Sequence, residues 1–298
     1  MRRGMSRVVA GILLGAVTLL AASACTPELP KHIDGNLTNG WPAMAEPKGW
    51  EPKADMCMKA FHDSLSRSMY EPVECDRGHS YETVGIGEFT GEAANAEKAP
   101  AAGSAALKAA WSDCDKKATA FVGADWRGGM LWMGVSVPGS VSWTSGSRWY
   151  LCQIAALDRS YGDPSLRSIS LKDELTKNSP LKYGCYQYGS SMVAIDCKKA
   201  HNSEYAGIWN APANMTYARL PKADDTIAGE CRKVIAKYVK VPADGNMKYR
   251  TGVAWDWPSE ADWDAGDHGV RCHIWLDKKK VTRSLKGTGN SGLPINYA

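Results

Sequence analysis

Apolar positions along the chain follow two spacings, and each spacing predicts an element. Met58, Phe61, Leu65 and Met69 recur at helical intervals and predict a helix over 57–68, broken by Glu71-Pro72. Residues 73–75 read as a short strand and 76–79 as a turn. Residues 81–89 read as a strand with Tyr81, Thr83 and Gly85 in alternation. Strong helix formers over 106–121 carry an apolar face through Leu107, Trp111, Cys114 and Phe121, and Gly123 ends the run. Strands are expected over 130–137 and 147–156, flanking Pro138-Gly139 and Ser145-Gly146. The order then returns. A hairpin over 182–197 turns about Gly189-Ser190, a His201 turn follows, and a strand runs through Tyr205 and Ile208. A helix over 222–239 follows Pro221, and strand-like runs over 247–257 and 270–276 close the series.

That return is an internal repeat. Cys75, His79 and Glu82 answer to Cys197, His201 and Glu204 at identical separations. Cys114 precedes Phe121 as Cys231 precedes Tyr238. Pro138, Trp143 and Gly146 stand before Cys152 as Pro258, Trp263 and Gly266 stand before Cys272. A unit of roughly 100 residues, a common domain size, has been duplicated. The predicted fold class is α+β, with two disulfide-bonded repeats that each join antiparallel strands to one main helix. The expected divisions are a signal peptide over 1–24, a tether over 25–55 and a first repeat over 56–158. A linker over 159–180, punctuated by Gly162, Pro164 and Pro180, leads to a second repeat over 181–286 and a flexible tail over 287–298. Trp41 and Trp50 in the tether are candidates to pack on the body.

The first residues change how the cysteines are read. Arg2, Arg3 and Arg7 precede an apolar run over 8–22 of signal-peptide length. Ala22-Ser23-Ala24-Cys25 resembles the bacterial lipobox, with Ala22 where Leu is usual. The resemblance implies cleavage before Cys25 and lipidation of that residue, which would anchor the protein to a membrane. The rival is an ordinary signal peptide cut nearby. Loss of the leader removes three arginines and no acids, so the net charge falls from +4 to +1. A nearly neutral body gives no electrostatic case for a nucleic-acid partner. Of nine cysteines, eight remain besides Cys25, an even number suited to an oxidising compartment. If each repeat closes its own bonds, three pairings per repeat are open. Nearest-neighbour pairing joins Cys57 to Cys75, Cys114 to Cys152, Cys185 to Cys197 and Cys231 to Cys272. No CxxC motif speaks for redox catalysis or metal.

The leader, the cysteine and the Cys75-Asp76, His79, Glu82 stretch followed by Val84-Gly85 resemble the septum formation family of actinobacterial envelope proteins. The second copy matches at Cys197, His201 and Glu204, with Lys198 in place of the Asp. Gly78 and Ala200 replace the usual Pro before the His. The resemblance implies an exported, often membrane-anchored domain associated with cell division, and implies no reaction, ligand or cofactor.

Three functions are open on these residues. The first is a non-enzymatic envelope module on the outer face of the cytoplasmic membrane, binding a wall polymer or a division protein. Its candidate binding residues are His79, Glu82, His201, Glu204 and two tryptophans set among carboxylates, Trp257 and Trp263. Trp132 and Trp275 sit in strand-like runs and read as core. The second is a metal-binding or hydrolytic protein, in which His79, Glu82, His201 and Glu204 converge from facing units or a pair is completed by His62, His268 or His273. No nucleophile motif supports it, and no metal or cofactor is expected. The third is a purely structural lipoprotein, which a surface without exposed Trp would favour. The Gly-rich run over 287–292 lacks the Lys of a phosphate loop.

Overall fold

The computed structural model describes residues 49–189 and 191–297. The leader, Cys25, Trp41 and the tether up to residue 48 lie outside the described residues. Among the described residues, no helix is long and apolar enough to cross a membrane.

The first lobe opens with three short strands, β1 (Cys57–Met58), β2 (Ser64–Leu65) and β3 (Pro72–Val73), before the long β4 (Tyr81–Glu88). A one-turn helix α1 (Gly91–Asn95) leads to the main helix α2 (Ala105–Val122). Ser104 caps α2 by accepting from the Leu107 N–H, and Gly123 ends it at φ 83°, a left-handed conformation that glycine adopts without strain. Strand β5 (Leu131–Pro138), helix α3 (Ser140–Thr144) and strand β6 (Trp149–Ala156) complete the lobe. Its sheet runs β2-β5-β6-β4-β1-β3. One face of α2, carrying Trp111, Cys114, Ala118 and Val122, buries itself against Leu131, Met133, Val135, Cys152 and Ile154.

The second lobe repeats the plan. It contains β7 (Cys185–Tyr188), β8 (Met192–Ile195), β9 (Ser203–Asn210), the main helix α4 (Asp224–Val239), β10 (Gly252–Asp256), α5 (Glu260–Ala265), β11 (Gly269–Trp275) and a terminal turn of helix, α6 (Gly289–Gly292). Its sheet runs β10-β11-β9-β7-β8, the first lobe's order without the edge strand β2. The register repeats as well. A bulge leaves Val84 of β4 unpaired opposite β6, and another leaves Ala206 of β9 unpaired opposite β11. Each follows its motif Glu by two residues. A bulge kept at one position in both copies is a built feature of the strand.

All four disulfides join the expected partners, Cys57–Cys75, Cys114–Cys152, Cys185–Cys197 and Cys231–Cys272. In each lobe one bond closes the motif turn onto the strand next to the sheet's edge, β1 or β7, and the other pins the main helix to the central sheet.

Four local expectations are corrected. Residues 57–68 form no α-helix, only the start of a 3-10 turn at Arg67–Met69, because Cys57 pairs with both Val73 and Glu82 and so is fixed as strand. Pairing and the disulfide override the helical spacing, and Met69 ends 39% exposed. The stretch read as a linker is part of the first lobe. Leu171 and Leu175 are buried in its core, and Arg167 bridges to His79. The tail is packed too, with Leu293 buried, its carbonyl accepting from Arg250 Nη1 at 2.6 Å, and Asn296 N–H donating to Tyr249 O at 2.8 Å. Over 247–257 only β10 is strand, and Gly245–Tyr249 is a 3-10 turn. Trp50, at the tether's end, packs edge-on against Tyr70 and Trp149 at ring distances of 5.2 and 5.4 Å.

Candidate functional site

The repeated His and Glu residues are fully enclosed, each pair inside its own lobe. His79, Glu82, His201 and Glu204 are all at most 3% exposed. His79 and Arg167 exchange backbone hydrogen bonds at 2.8 Å both ways, as His201 and Val281 do at 2.9 Å. The His79 Nδ1–H meets the Arg77 carbonyl, and the His201 Nδ1–H the Lys199 carbonyl, both at 2.8 Å. Glu82 accepts from Ser170 Oγ at 2.6 Å and from Leu171 N–H at 2.7 Å. Glu204 accepts from Ser284 Oγ and, at 2.7 Å, from Leu285 N–H. The motif therefore fastens a returning chain segment to the start of the long strand. That segment carries the same tripeptide twice, Ser170-Leu171-Lys172 and Ser284-Leu285-Lys286, a signal present in the sequence that the expected linker and tail concealed.

The copies differ at one point. His79 Nε2 lies 3.3 Å from Glu82. In the second lobe Tyr238 donates to Glu204 at 2.6 Å, and His201 Nε2 has no partner among the described residues. Phe121, the counterpart of Tyr238, has no hydroxyl to compete for the carboxylate.

Metal chemistry fits this arrangement poorly. One donor atom each of Cys57, His79 and Glu82 lie within 4.8 Å of one another, as do those of Cys185, His201 and Glu204. Both sulfurs are in disulfides, whereas a metal takes thiolate. The carboxylates are already held by Ser and backbone donors. The four His and Glu residues meet in pairs, not as one cluster. His62 lies beside a shallow recess near β1, and His268 and His273 belong to the second lobe's own packing.

The tryptophan candidates separate. Trp263 is 1% exposed, stacks on His268 at 4.5 Å and donates to the Met215 carbonyl at 2.9 Å. It is core, contrary to its candidacy for binding. Trp257 is half-buried and lines a cleft of about 550 Å³ between the lobes. Trp132, expected in the core, lines the same cleft with Phe61, Tyr81, Tyr161 and Asp262. Its ring sits 4.7 Å from Phe61, and its indole N–H donates to Asp262 at 2.9 Å across the lobe boundary. Alternation in β5 put the signal in view, since Trp132 falls on the face opposite Leu131 and Met133. Trp275 is half-buried and meets Tyr188 edge-on at 6.2 Å. Among the described residues no Trp is fully exposed.

Charged groups that sequence reasoning missed hold the cleft's floor. Arg127 pairs with Asp267 of the other lobe at 2.7 Å, with Asp115 at 2.8 Å and with Asp125 at 3.3 Å. Its guanidinium lies over Trp126 at 4.5 Å. Arg271 donates to the Arg127 carbonyl at 3.3 Å and to the Tyr161 hydroxyl. Tyr161 in turn donates to Asp256 at 2.6 Å, and His273 Nε2 lies 3.2 Å from the same carboxylate. Burial opposes ionisation of Asp256, yet His273, Arg271 and Tyr161 together hold its carboxyl below the ordinary range.

A family model described as septum formation matches residues 54–272, across both lobes. No curated protein and no solved structure matches the chain.

Proposed function

The chain belongs to the septum formation family, and on that premise we propose a non-enzymatic binding module of the cell envelope. Family and disulfides suit an exported protein linked to cell division. In our reading, lipid on Cys25 holds it to the outer face of the cytoplasmic membrane, and the cleft takes a wall polymer or a division protein. The observation that carries this reading is the cleft itself, where Trp132 and Trp257 from separate lobes face a recess large enough for a ligand. The duplicated His and Glu groups support it indirectly, because their hydrogen bonds, His201 Nε2 apart, are spent on fastening the chain. The lack of a fully exposed Trp among the described residues favours the purely structural reading, which is retained as the alternative.

The test is capture of the oxidised protein spanning 26–298, by co-sedimentation with protein-stripped wall and by photo-crosslinking in living cells. Trp132→Ala and Trp257→Ala are run beside it. Saturable capture in either arm, weakened roughly tenfold by both substitutions in folded protein, is the expected result for interface anchors. No capture in either arm, or capture that neither substitution alters, overturns the proposal.

A further inference from the structure

The cleft does not end at Trp132. Past Phe61, Trp132 and Asp262 it continues into a recess of about 660 Å³ along the outer side of β5. Within the sheet, β6 covers one side of β5, but on the other β2 reaches only Val137 and Pro138. Hydrogen-bonding directions alternate along an antiparallel ladder. The Leu157 N–H donates to the Met130 carbonyl, so even-numbered residues of β5 bond to β6 and odd-numbered ones turn outward. Val137 obeys this rule, donating outward to the Asp63 carbonyl at 2.8 Å, and the Leu131 N–H turns back to Gly129. Among the described residues, no backbone hydrogen bond outside the regular ladders reaches Met133 or Val135. These two residues are 3% and 9% exposed. Buried backbone groups without partners are rare, and an open strand edge is a template for another strand.

The two faces of this edge differ in chemistry. Met133 and Val135 direct their side chains to the α2 side, into the cluster that holds Leu107 and Trp111. Phe61 and Trp132 form the other side, with Asp262 bound to the indole and Asp63 two residues beyond Phe61. No ion pair among the described residues uses Asp63, Asp262 or Asp264, and no Lys or Arg lines the recess beside them.

We propose that the β5 edge binds an extended peptide segment of a partner protein by strand addition, with apolar and basic side chains alternating along it. The inference rests on the binding-module reading and gives that module its ligand class. The peptide backbone completes the ladder at Met133 and Val135. Its apolar side chains meet Leu107 and Trp111. Its basic side chains lie over Phe61 and Trp132, within the field of Asp63 and Asp262. A glycan's amides, where it has them, hang from its rings and do not alternate along a backbone at strand spacing, which is why the peptide is favoured.

The test uses the oxidised protein and short capped peptides, followed by tryptophan fluorescence and amide hydrogen exchange. The probes are a lysine–valine alternating peptide, two forms of it N-methylated at either the lysine or the valine nitrogens, a glutamate–valine peptide and a chito-oligosaccharide. The lysine–valine peptide is expected to bind and to slow exchange at Met133 and Val135 by roughly tenfold or more. Only one of the N-methylated forms is expected to lose binding, because only one set of amides faces the edge. Asp63→Asn, at an exposed position, and Asp262→Asn are each expected to weaken binding several-fold, and the glutamate peptide is not expected to bind. Failure of the lysine–valine peptide, equal binding of both N-methylated forms, or no protection at Met133 and Val135 overturns the proposal. If the oligosaccharide binds instead and Trp132→Ala abolishes that binding, strand addition is wrong while the binding module stands. If no probe binds and the wall and crosslinking captures ignore Trp132 and Trp257, the binding module itself falls.

Discussion

Trp263 and Trp132 show how differently one residue type is used within a single chain. Trp263 fills a site bounded by Tyr217, His268 and the Met215 carbonyl, and its indole N–H is satisfied there. Trp263→Ala is expected to cost about 3–5 kcal/mol in urea unfolding, the scale of a large aromatic removed from a packed core. Trp132→Ala, at a half-buried position, is expected to cost far less while weakening capture. His268 adds a pH dependence to the same site. Burial, reinforced by Lys108, outweighs the Trp263 carbonyl and Asp267 and Asp264, and lowers its basicity from an ordinary value near 6.5. The unfolded chain then binds more protons at this residue, so stability from it is present above pH 6.5 and is lost as pH falls below that value. The midpoint of thermal unfolding is expected to decline from pH 7.5 towards pH 5.5, with a shallower slope in His268→Gln. An equal slope in that variant would assign the decline to other groups. Asp256, held below the ordinary carboxylate range, loses its contribution only at lower pH, as pH falls through its folded-state value.

At the scale of the element, the motif turn is a fastener. Glu82→Gln places an amide N–H₂ either against Leu171 N–H, a fixed donor, or against Ser170 Oγ, which must give up its own donation to accept it. A cost of about 1–3 kcal/mol is expected from the lost charge-assisted hydrogen bonds and the rearranged donor. Amide exchange at Arg167 and Leu171 should quicken before the rest of the first sheet opens. Exchange that quickens only with global unfolding would mean that the segment is held by Leu171 and Leu175 alone. The duplication and the cysteine frame were legible in the sequence, because constant separations survive insertions between anchors. The main helices were legible from their local periodicity and from Gly123. The run from Met58 to Met69 misled, because its spacing is local whereas Cys57 is fixed by partners at Val73, Cys75 and Glu82. The fastening segments were missed because Gly162, Pro164 and Gly287 to Gly292 punctuate turns inside the lobes as readily as boundaries between them. The cleft was beyond single-chain patterning. Trp132 meets Asp262 and Arg127 meets Asp267 across the lobe boundary, and no periodicity records a contact at 130 or 140 residues' separation.

For the whole molecule, the question is what makes two lobes behave as one. Each lobe has its own buried clusters and its own two disulfides. Arg127 is the principal charged link, since one guanidinium serves Asp115 and Asp125 of its own lobe and the buried Asp267 of the other. Removing it leaves Asp267 enclosed without its cation, and breaking a buried pair from one side costs about 3–5 kcal/mol. Arg127→Met keeps the aliphatic stem but takes the guanidinium off Trp126 and Trp111, so the loss combines the ion pairs with the cation–π contacts. If the lobes are coupled chiefly through this residue, the wild type unfolds in one transition and the variant in two, with near-ultraviolet and far-ultraviolet circular dichroism no longer coincident. Adding Asp267→Asn to Arg127→Met removes the stranded charge and should recover part of the loss, a non-additivity expected of residues in direct contact. Strict additivity would place the coupling elsewhere, in Trp132–Asp262 and the close approach of Trp111 to Gly266. Because Asp262 and Trp132 come from opposite lobes, the same variant should weaken ligand capture at the cleft even though Arg127 lies beneath its floor.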